Sequence, residues 1–368
     1  MPKITTDVDT YFQGYRKEAE PLLERLFDQA DSLVAGMGLH PSAQALVSQL
    51  RILSRGGKKL RGGLVLLGYE CFAPKRKQYK AVLDASLVME LIHASFLIHD
   101  DIMDRDETRR GRDTFHVHFA NWHKALHLKG DRGQFGLSMA INAGDLGAFL
   151  ALNHWNQQPF GLAKRTRAQE VLTRTIIRTT LGQVQDVSLQ YETQADEEQI
   201  MVVYTNKTAL YTVVCPLQIG AILGTAGDTD LAPIHSYGLP VGQAFQIADD
   251  LLGVLGTEAE LGKLVGSDIK EGKKTLLMLK TLEAAASTDR EFLQDVLGKA
   301  LPSDAGEREE VMEHVRSIVR ASGAASYCET LARGLLEAGK RHIPSITPDP
   351  ALQKLLGGFA DYVIARTN

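Results

Sequence analysis

Apolar residues recur along this chain at spacings of three and four, and alternation with a period of two is scarce. Residues 7–36 set the pattern. Tyr11, Tyr15, Leu22, Leu23, Leu26 and Phe27 are interspersed with charges, so one helical face is greasy and the other wet. Residues 43–53 and 60–72 predict two shorter helices, parted by Ser54-Arg-Gly56-Gly57-Lys58-Lys59. From 76 to 105 the spacing predicts one long helix. It is almost wholly apolar between Leu83 and Ile98, as a buried central helix would be. Further helices are predicted at 137–156, 166–192, 197–206, 208–224, 231–256, 274–286, 290–300, 306–321, 323–340 and 349–366. Breakers such as Pro159-Phe-Gly161, Gly227-Asp-Thr-Asp and Pro344-Ser-Ile-Thr-Pro348 fall between them. The less regular stretch 116–136, with His116, His118, His123 and His127, reads as a surface excursion between helices. No internal repeat is visible. The expectation is an all-α single domain covering residues 1–368.

Composition narrows the class. The chain has 368 residues, 44% of them hydrophobic and 23% charged, with a formal net charge of −4. One large core is affordable at this length. The absence of a basic excess argues against nucleic acid as a partner. No run of about 18 uninterrupted apolar residues occurs, so no membrane span is expected. The opening Met-Pro-Lys-Ile-Thr-Thr-Asp lacks the basic-then-apolar order of a secretion signal. Cys71, Cys215 and Cys328 lie far apart in apolar contexts, and read as buried free thiols of a reducing cytoplasm.

The chemistry concentrates in two aspartate pairs. The first is Asp100-Asp101-Ile-Met-Asp104, followed by Arg109-Arg110-Gly111. The second is Phe245-Gln246-Ile-Ala-Asp249-Asp250-Leu-Leu-Gly253, followed by Gly262-Lys263 and Gly266-Ser-Asp268. A carboxylate inside an apolar run is costly unless something pairs with it or coordinates it. Asp100 and Asp104 share a helical face one turn apart, where like charges repel unless a cation lies between them. Pairs of oxygen ligands, with phosphate oxygens completing the shell, suit Mg²⁺. Asp249 and Asp250 would supply a matching face from another helix. A solvated acidic helix end fits poorly beside Phe96-Leu-Ile and Leu251-Leu252.

The basic residues form separate groups. Lys58 and Arg61 follow a flexible Gly-Gly near a helix N-terminus, a place that favours phosphate. Arg109 and Arg110 follow the first pair, Lys207 precedes Thr208, and Lys263 and Lys273 follow the second pair. One group would serve a metal-bound diphosphate and the other a second diphosphate held without metal.

At these residues the chain resembles a trans-isoprenyl diphosphate synthase of the polyprenyl synthetase family, most informatively over roughly 45–275. Gly56-Gly57-Lys58-Lys59-Leu60-Arg61 resembles the family's first basic motif, and Glu90-Leu-Ile-His93 the histidine segment that helps hold isopentenyl diphosphate. Asp100-Asp101-x-x-Asp104 is similar to the first aspartate-rich motif, Gly182-Gln183-x-x-Asp186 to a mid-chain motif. Lys207-Thr208 and Phe245-Gln246-x-x-Asp249-Asp250 resemble the remaining signatures. The resemblance implies the isoprenoid synthase fold, a helical bundle around a central active-site cavity. It implies condensation of isopentenyl diphosphate with an allylic diphosphate (dimethylallyl, geranyl or farnesyl), and a homodimer. It further implies three Mg²⁺ ions, with Mn²⁺ as a substitute, held by Asp100, Asp101, Asp104, Asp186, Asp249 and Asp250. Arg109, Lys207 and Lys263 would then face the leaving diphosphate. Lys58, Arg61, His93 and Arg110 would hold the second substrate, with Lys273 as a further binding cation. Thr208 and Gln246 would turn polar oxygens toward the allylic cation. Two departures stand out: Gly253 replaces a third aspartate, and 116–136 is longer than usual.

Product length is expected to depend on α-helical neighbours of Asp100. A helical turn rises about 5.4 Å, close to one isoprene unit. Phe96 lies four residues before Asp100 on its face, and Ser95 leaves space beside it. An aromatic floor there implies fifteen or twenty carbons: geranylgeranyl diphosphate, with farnesyl diphosphate as the alternative. Three rivals remain. A class I terpene cyclase would need no second diphosphate site. A non-catalytic partner subunit would have no use for paired carboxylates. A di-iron bundle would want Glu-x-x-His pairs beside the aspartates.

Overall fold

The computed structural model of the chain describes residues 7–73, 75–257, 265–302 and 304–365. It is built of helices, with one two-stranded hairpin among the described residues. The chain divides into two compact units. The first comprises Met1–Arg167 with Ile219–Thr225, the second Ala168–Gln218 with Ala226–Asn368.

The first unit opens with α1 (Val8–Gly36), capped by Asp7, whose carboxylate accepts from the Asp9 amide. Its buried face carries Tyr11, Phe12, Tyr15, Leu23 and Phe27, the stripe read from the sequence. α2 (Pro41–Arg55) and α3 (Leu60–Phe72) follow within one to two residues of their predicted bounds. The long helix predicted at 76–105 is instead two, α4 (Tyr79–Ala85) and α5 (Leu87–Met103). Ser86 separates them. Its hydroxyl donates back to the Leu83 carbonyl at 2.7 Å and meets the Tyr15 hydroxyl at 2.7 Å. Such local bonding competes with the helical ladder.

The segment 116–136 is not a surface excursion. It forms α6 (Phe115–Ala125), which buries Phe119 and His123. α7 (Arg132–Asn156) then starts five residues earlier than predicted, capped by Asp131 on the Gln134 amide at 2.9 Å. Trp122 stacks on Phe135 with ring centroids 6.0 Å apart, fastening α6 to α7. Histidines and glycines masked this apolar face in the sequence. By length and composition, Tyr79–Met103 and Arg132–Asn156 are long and apolar enough to cross a membrane, and the first is 72% buried inside the protein. Uninterrupted apolar runs were too strict a criterion for such helices.

The second unit takes most of α8 (Leu162–Gln190), then α9 (Glu197–Val203), whose capping box joins Asp196 to Gln199. The sequence predicted a break near residue 207. The structure instead continues α9 into a π-helical segment, Tyr204–Val214, and on into α10 (Cys215–Leu223). An eleven-residue π segment is long, since such geometry is usually a single-turn bulge. α11 (Leu231–Leu255) packs along it. Then come α12 (Ser267–Glu271), α13 (Leu276–Ala284), α14 (Ser287–Val296), α15 (Ala305–Ser322), α16 (Ala324–Lys340) and α17 (Pro350–Ala365). Cys71, Cys215 and Cys328 are buried and free.

Candidate active site

In the first unit the site is organised by the hairpin β1 (Thr108–Arg109) and β2 (Arg112–Asp113). Its two-residue loop, Arg110-Gly111, has φ of 53° and 70°. Positive φ at both loop positions matches the twist of a tight hairpin. The turn sends successive arginines to different partners. Arg109 reaches back to the buried Asp101, with Nε and Nη2 both 2.5 Å from Oδ1, and its Nη2 lies 3.7 Å from Asp106. Burial pushes the Asp101 carboxyl up to about 6, although Arg109 pulls the other way. Burial opposes the charge of Arg109 too. The Asp101, Asp100 and Asp106 carboxylates outweigh it and hold its pKa above the ordinary value. Asp101 is thus held in an ion pair with Arg109. Asp104 is buried at the end of α5, its amide bonded to the Asp100 carbonyl at 2.8 Å, which keeps the two carboxylates one turn apart.

Arg110 donates to the Leu53 carbonyl at 3.2 Å and lies flat against Gly56 and Gly57. A Cβ at either glycine would come within 2.6 Å of its guanidinium, and Gly57 also has a φ of +85°. These two glycines thus make room for an arginine as well as bending the chain. Lys59, in a left-handed conformation, is buried and donates to the Ser54 carbonyl at 2.5 Å. Burial depresses its pKa. Lys58 is exposed and Arg61 half-buried. His93 is held well below its ordinary pKa by burial first, then by the field of Arg61, Arg110, Arg109 and Lys59. Four cations thus act on one histidine, while the Glu90 carboxylate acts on Lys59 and Arg110 in the opposite sense. A cavity of about 370 Å³ is lined by Leu53, Gly56, Asp101, Arg109, Arg110 and His118, with His93 outside its lining. Phe96 is half-buried. Ser95 is 2% exposed and sits where α7 comes close at Gly147, so its small side chain serves the contact between α5 and α7.

In the second unit the site follows the seam between the π segment and α11. Gly238 and Gly242 bring the backbones together: a Cβ there would stand 2.9 Å from Val214 Cγ2 or 2.4 Å from Ala209 Cα. Polar pairs continue the seam. Thr208 donates to Gln246 Oε1 at 2.6 Å, and Gln246 Nε2 donates to Asp250 Oδ1 at 2.8 Å. The Tyr204 hydroxyl donates to Asp250 Oδ2 and accepts from the Leu276 amide at 2.9 Å. Burial, then the neighbouring Asp268 and Asp249, push the Asp250 carboxyl up to about 8, against the hydrogen bonds of Tyr204 and Gln246. Lys207 Nζ lies 2.6 Å from Asp186 Oδ2. Asp249 is half-buried on α11.

The expected vacancy at Gly253 is filled from elsewhere. A Cβ at Gly253 would lie 2.8 Å from Asp268 Oδ2, so a carboxylate from α12 occupies the space of the missing side chain. Lys273 Nζ stands 3.5 Å from the other Asp268 oxygen. Lys263 lies outside the described residues. Sequence reasoning assigned no role to Asp268 or Tyr204. Asp268 had a signal in Gly266-Ser-Asp268, whereas one tyrosine among ten had none.

A helical protein with aspartate clusters and buried cations has the donor types that handle diphosphates. Comparison with known proteins makes this specific: the Polyprenyl synthetase family model matches residues 44–315, and the chain belongs to that family. It is 31% identical over 315 residues to a geranylgeranyl diphosphate synthase of Sulfolobus acidocaldarius, covering 85% of this chain and 86% of that protein. It is 34% identical over 318 residues to a short chain isoprenyl diphosphate synthase of Methanothermobacter thermautotrophicus, covering 86% and 88%. A crystal structure of geranylgeranyl pyrophosphate synthase from Corynebacterium glutamicum, complexed with isoprenyl diphosphate and magnesium, superposes with a TM-score of 0.88 at 29% identity. The match covers 98% of this chain and 99% of that one. The fold is the all-α isoprenoid synthase fold and the protein is a prenyltransferase.

Proposed function

We propose that this enzyme joins isopentenyl diphosphate to an allylic diphosphate, releasing diphosphate, with geranylgeranyl diphosphate as its main product. The observation that carries the reading is the cation pocket around His93. It brings Arg61 and Arg110 to bear on His93, with Arg110 against Gly56 and Gly57, whereas Arg109 is taken by Asp101. A terpene cyclase would have no use for such a second site. Lys58, Arg61, His93 and Arg110 hold isopentenyl diphosphate in this scheme.

The donor chemistry fits Mg²⁺. Asp100, Asp104, Asp249 and Asp268 offer oxygen only. Among the described residues no group of three or more His, Cys, Asp or Glu could hold an ion by itself, which suits a cation completed by phosphate oxygens and water. When bound, Mg²⁺ neutralises the departing diphosphate and draws electrons from the allylic C–O bond. Asp101 and Asp250 act one step back, orienting Arg109 and Gln246. Lys207, positioned by Asp186, adds positive charge for the leaving group, as do Lys263 and Lys273. Thr208 and Gln246 place fixed dipoles where the allylic cation develops, a preorganised electrostatic contribution. Alignment of the two substrates supplies much of the remaining rate.

The single polyprenyl synthetase domain takes in both compact units. A homodimer is supported by the apolar stripe that α8 leaves exposed, Ile177, Leu181 and Val184. The buried free thiols support a cytoplasmic setting. Incubation with isopentenyl diphosphate, each allylic primer and Mg²⁺, followed by chromatography, tests the function. A cyclic hydrocarbon from geranyl diphosphate alone would refute it in favour of the cyclase. Phe96→Ala is expected to lengthen the products by one isoprene unit or more. An unchanged distribution would remove Phe96 as the floor and leave it as core packing.

A further inference from the structure

Tyr204 is 3% exposed, and its hydroxyl is shared between two elements. It accepts from the Leu276 amide at the start of α13 and donates to one Asp250 oxygen on α11, while Gln246 donates to the other. Both oxygens of Asp250 are thereby engaged by neutral donors. Asp249 is the adjacent residue on α11 and is half-buried.

The geometry that delivers the phenol is unusual. Val214, Ala209 and Tyr204 lie five residues apart on the π segment and meet Gly238, Gly242 and Asp250 on α11. In an α-helix five residues turn about 500°, which would carry Tyr204 about 140° away from the face of Ala209. Bonding from i to i+5 brings residues five apart back to one face. The π segment is therefore what aims Tyr204 at Asp250, in the same stretch that presents Lys207 and Thr208.

We infer that Tyr204 is a positioning residue for metal binding: its phenol locks Asp250 against the start of α13 and so fixes the orientation of Asp249. The inference rests on the functional reading above, and it deepens it by adding a residue outside the aspartate and lysine motifs. Tyr204 acts through Asp250, along a chain that continues through Gln246 to Thr208.

The test uses Tyr204→Phe, which removes one oxygen and keeps the ring. Mn²⁺ binding in the presence of inorganic diphosphate, read by electron paramagnetic resonance, is expected to weaken about tenfold, the size of a lost hydrogen bond to a carboxylate. The Mg²⁺ concentration for half-maximal activity should rise in parallel, while KM for isopentenyl diphosphate stays put. Circular dichroism melting confirms that the variant is folded. On an Asp250→Asn background, Tyr204→Phe should have no further effect on Mn²⁺ binding. Unaltered Mn²⁺ affinity in folded Tyr204→Phe overturns the inference. So does a drop in kcat with the Mg²⁺ dependence unchanged, the mark of a merely structural role. Wild-type protein that makes no prenyl product but still shows the Tyr204 effect would overturn the functional reading alone.

Discussion

Asp101 and Asp250 occupy the same place in two similar motifs, each the second member of an aspartate pair, and each is buried in its own unit. Their partners differ. Asp101 is clamped by the guanidinium of Arg109 and titrates near about 6. Asp250 is held by a phenol and an amide, beside the further carboxylate of Asp268, and titrates near about 8. The first pair thus keeps a full countercharge inside the protein, whereas the second manages with dipoles and retains a proton over a wider pH range. Burial alone raises both; the partner decides how far.

The largest expected consequence is in stability. Asp101→Asn strands Arg109 in a buried position and should cost about 3 kcal/mol, the usual penalty for breaking a buried pair. Asp250→Asn keeps the shape and strands no charge, but it turns one acceptor oxygen into a donor facing Tyr204 or Gln246, and should cost about 1 kcal/mol at neutral pH. Urea denaturation of the metal-free proteins checks both. Equal losses would mean that the two carboxyls are held alike.

The pH dependence is a smaller effect with a definite sign. Both carboxyls bind a proton more tightly folded than unfolded, since each is raised from an ordinary 3.8. The folded state therefore holds the extra protons, and stability falls as pH rises from about 4. Asp101 finishes contributing near about 6 and Asp250 near about 8. Asp250→Asn should flatten the melting temperature of metal-free protein between those values, and Asp101→Asn should leave that upper part unchanged. A profile that Asp250→Asn does not alter would remove the distinction.

The smallest effect concerns Gly253. A methyl there meets only the far end of the Asp268 side chain, which can swing aside. Gly253→Ala should leave the melting temperature close to wild type and raise the Mg²⁺ requirement roughly threefold, on the scale of one weak polar contact. An unaltered Mg²⁺ titration would show that Asp268 does not substitute for the missing aspartate.

Much of the fold was legible because helical periodicity is a local property. α1, α3, α15, α16 and α17 fall within about two residues of the predicted bounds, the usual uncertainty of helix ends. The misreadings have physical causes. Ser86 interrupts a helix through a hydroxyl bond that apolar counting cannot register. The charged Thr108–Asp113 stretch conceals a hairpin whose turn depends on an unusual left-handed arginine. His123 counted as polar although it packs inside α6. The motif residues were equally visible as types, and their protein partners were not. Ser95 spends its small size on α7, and Asp101 and Asp250 spend their oxygens on protein partners.

By itself the sequence determined which helices form and which side chains carry charge, because periodicity and the cost of burying a carboxylate act along the chain. Only the tertiary structure decided how each carboxylate is stabilised. Arg109 meets Asp101 through a turn, Tyr204 meets Asp250 through a change of helical pitch, and Asp268 fills the space of Gly253 from another helix. These pairings depend on backbone direction and on close approach between elements distant in sequence, which no local pattern encodes.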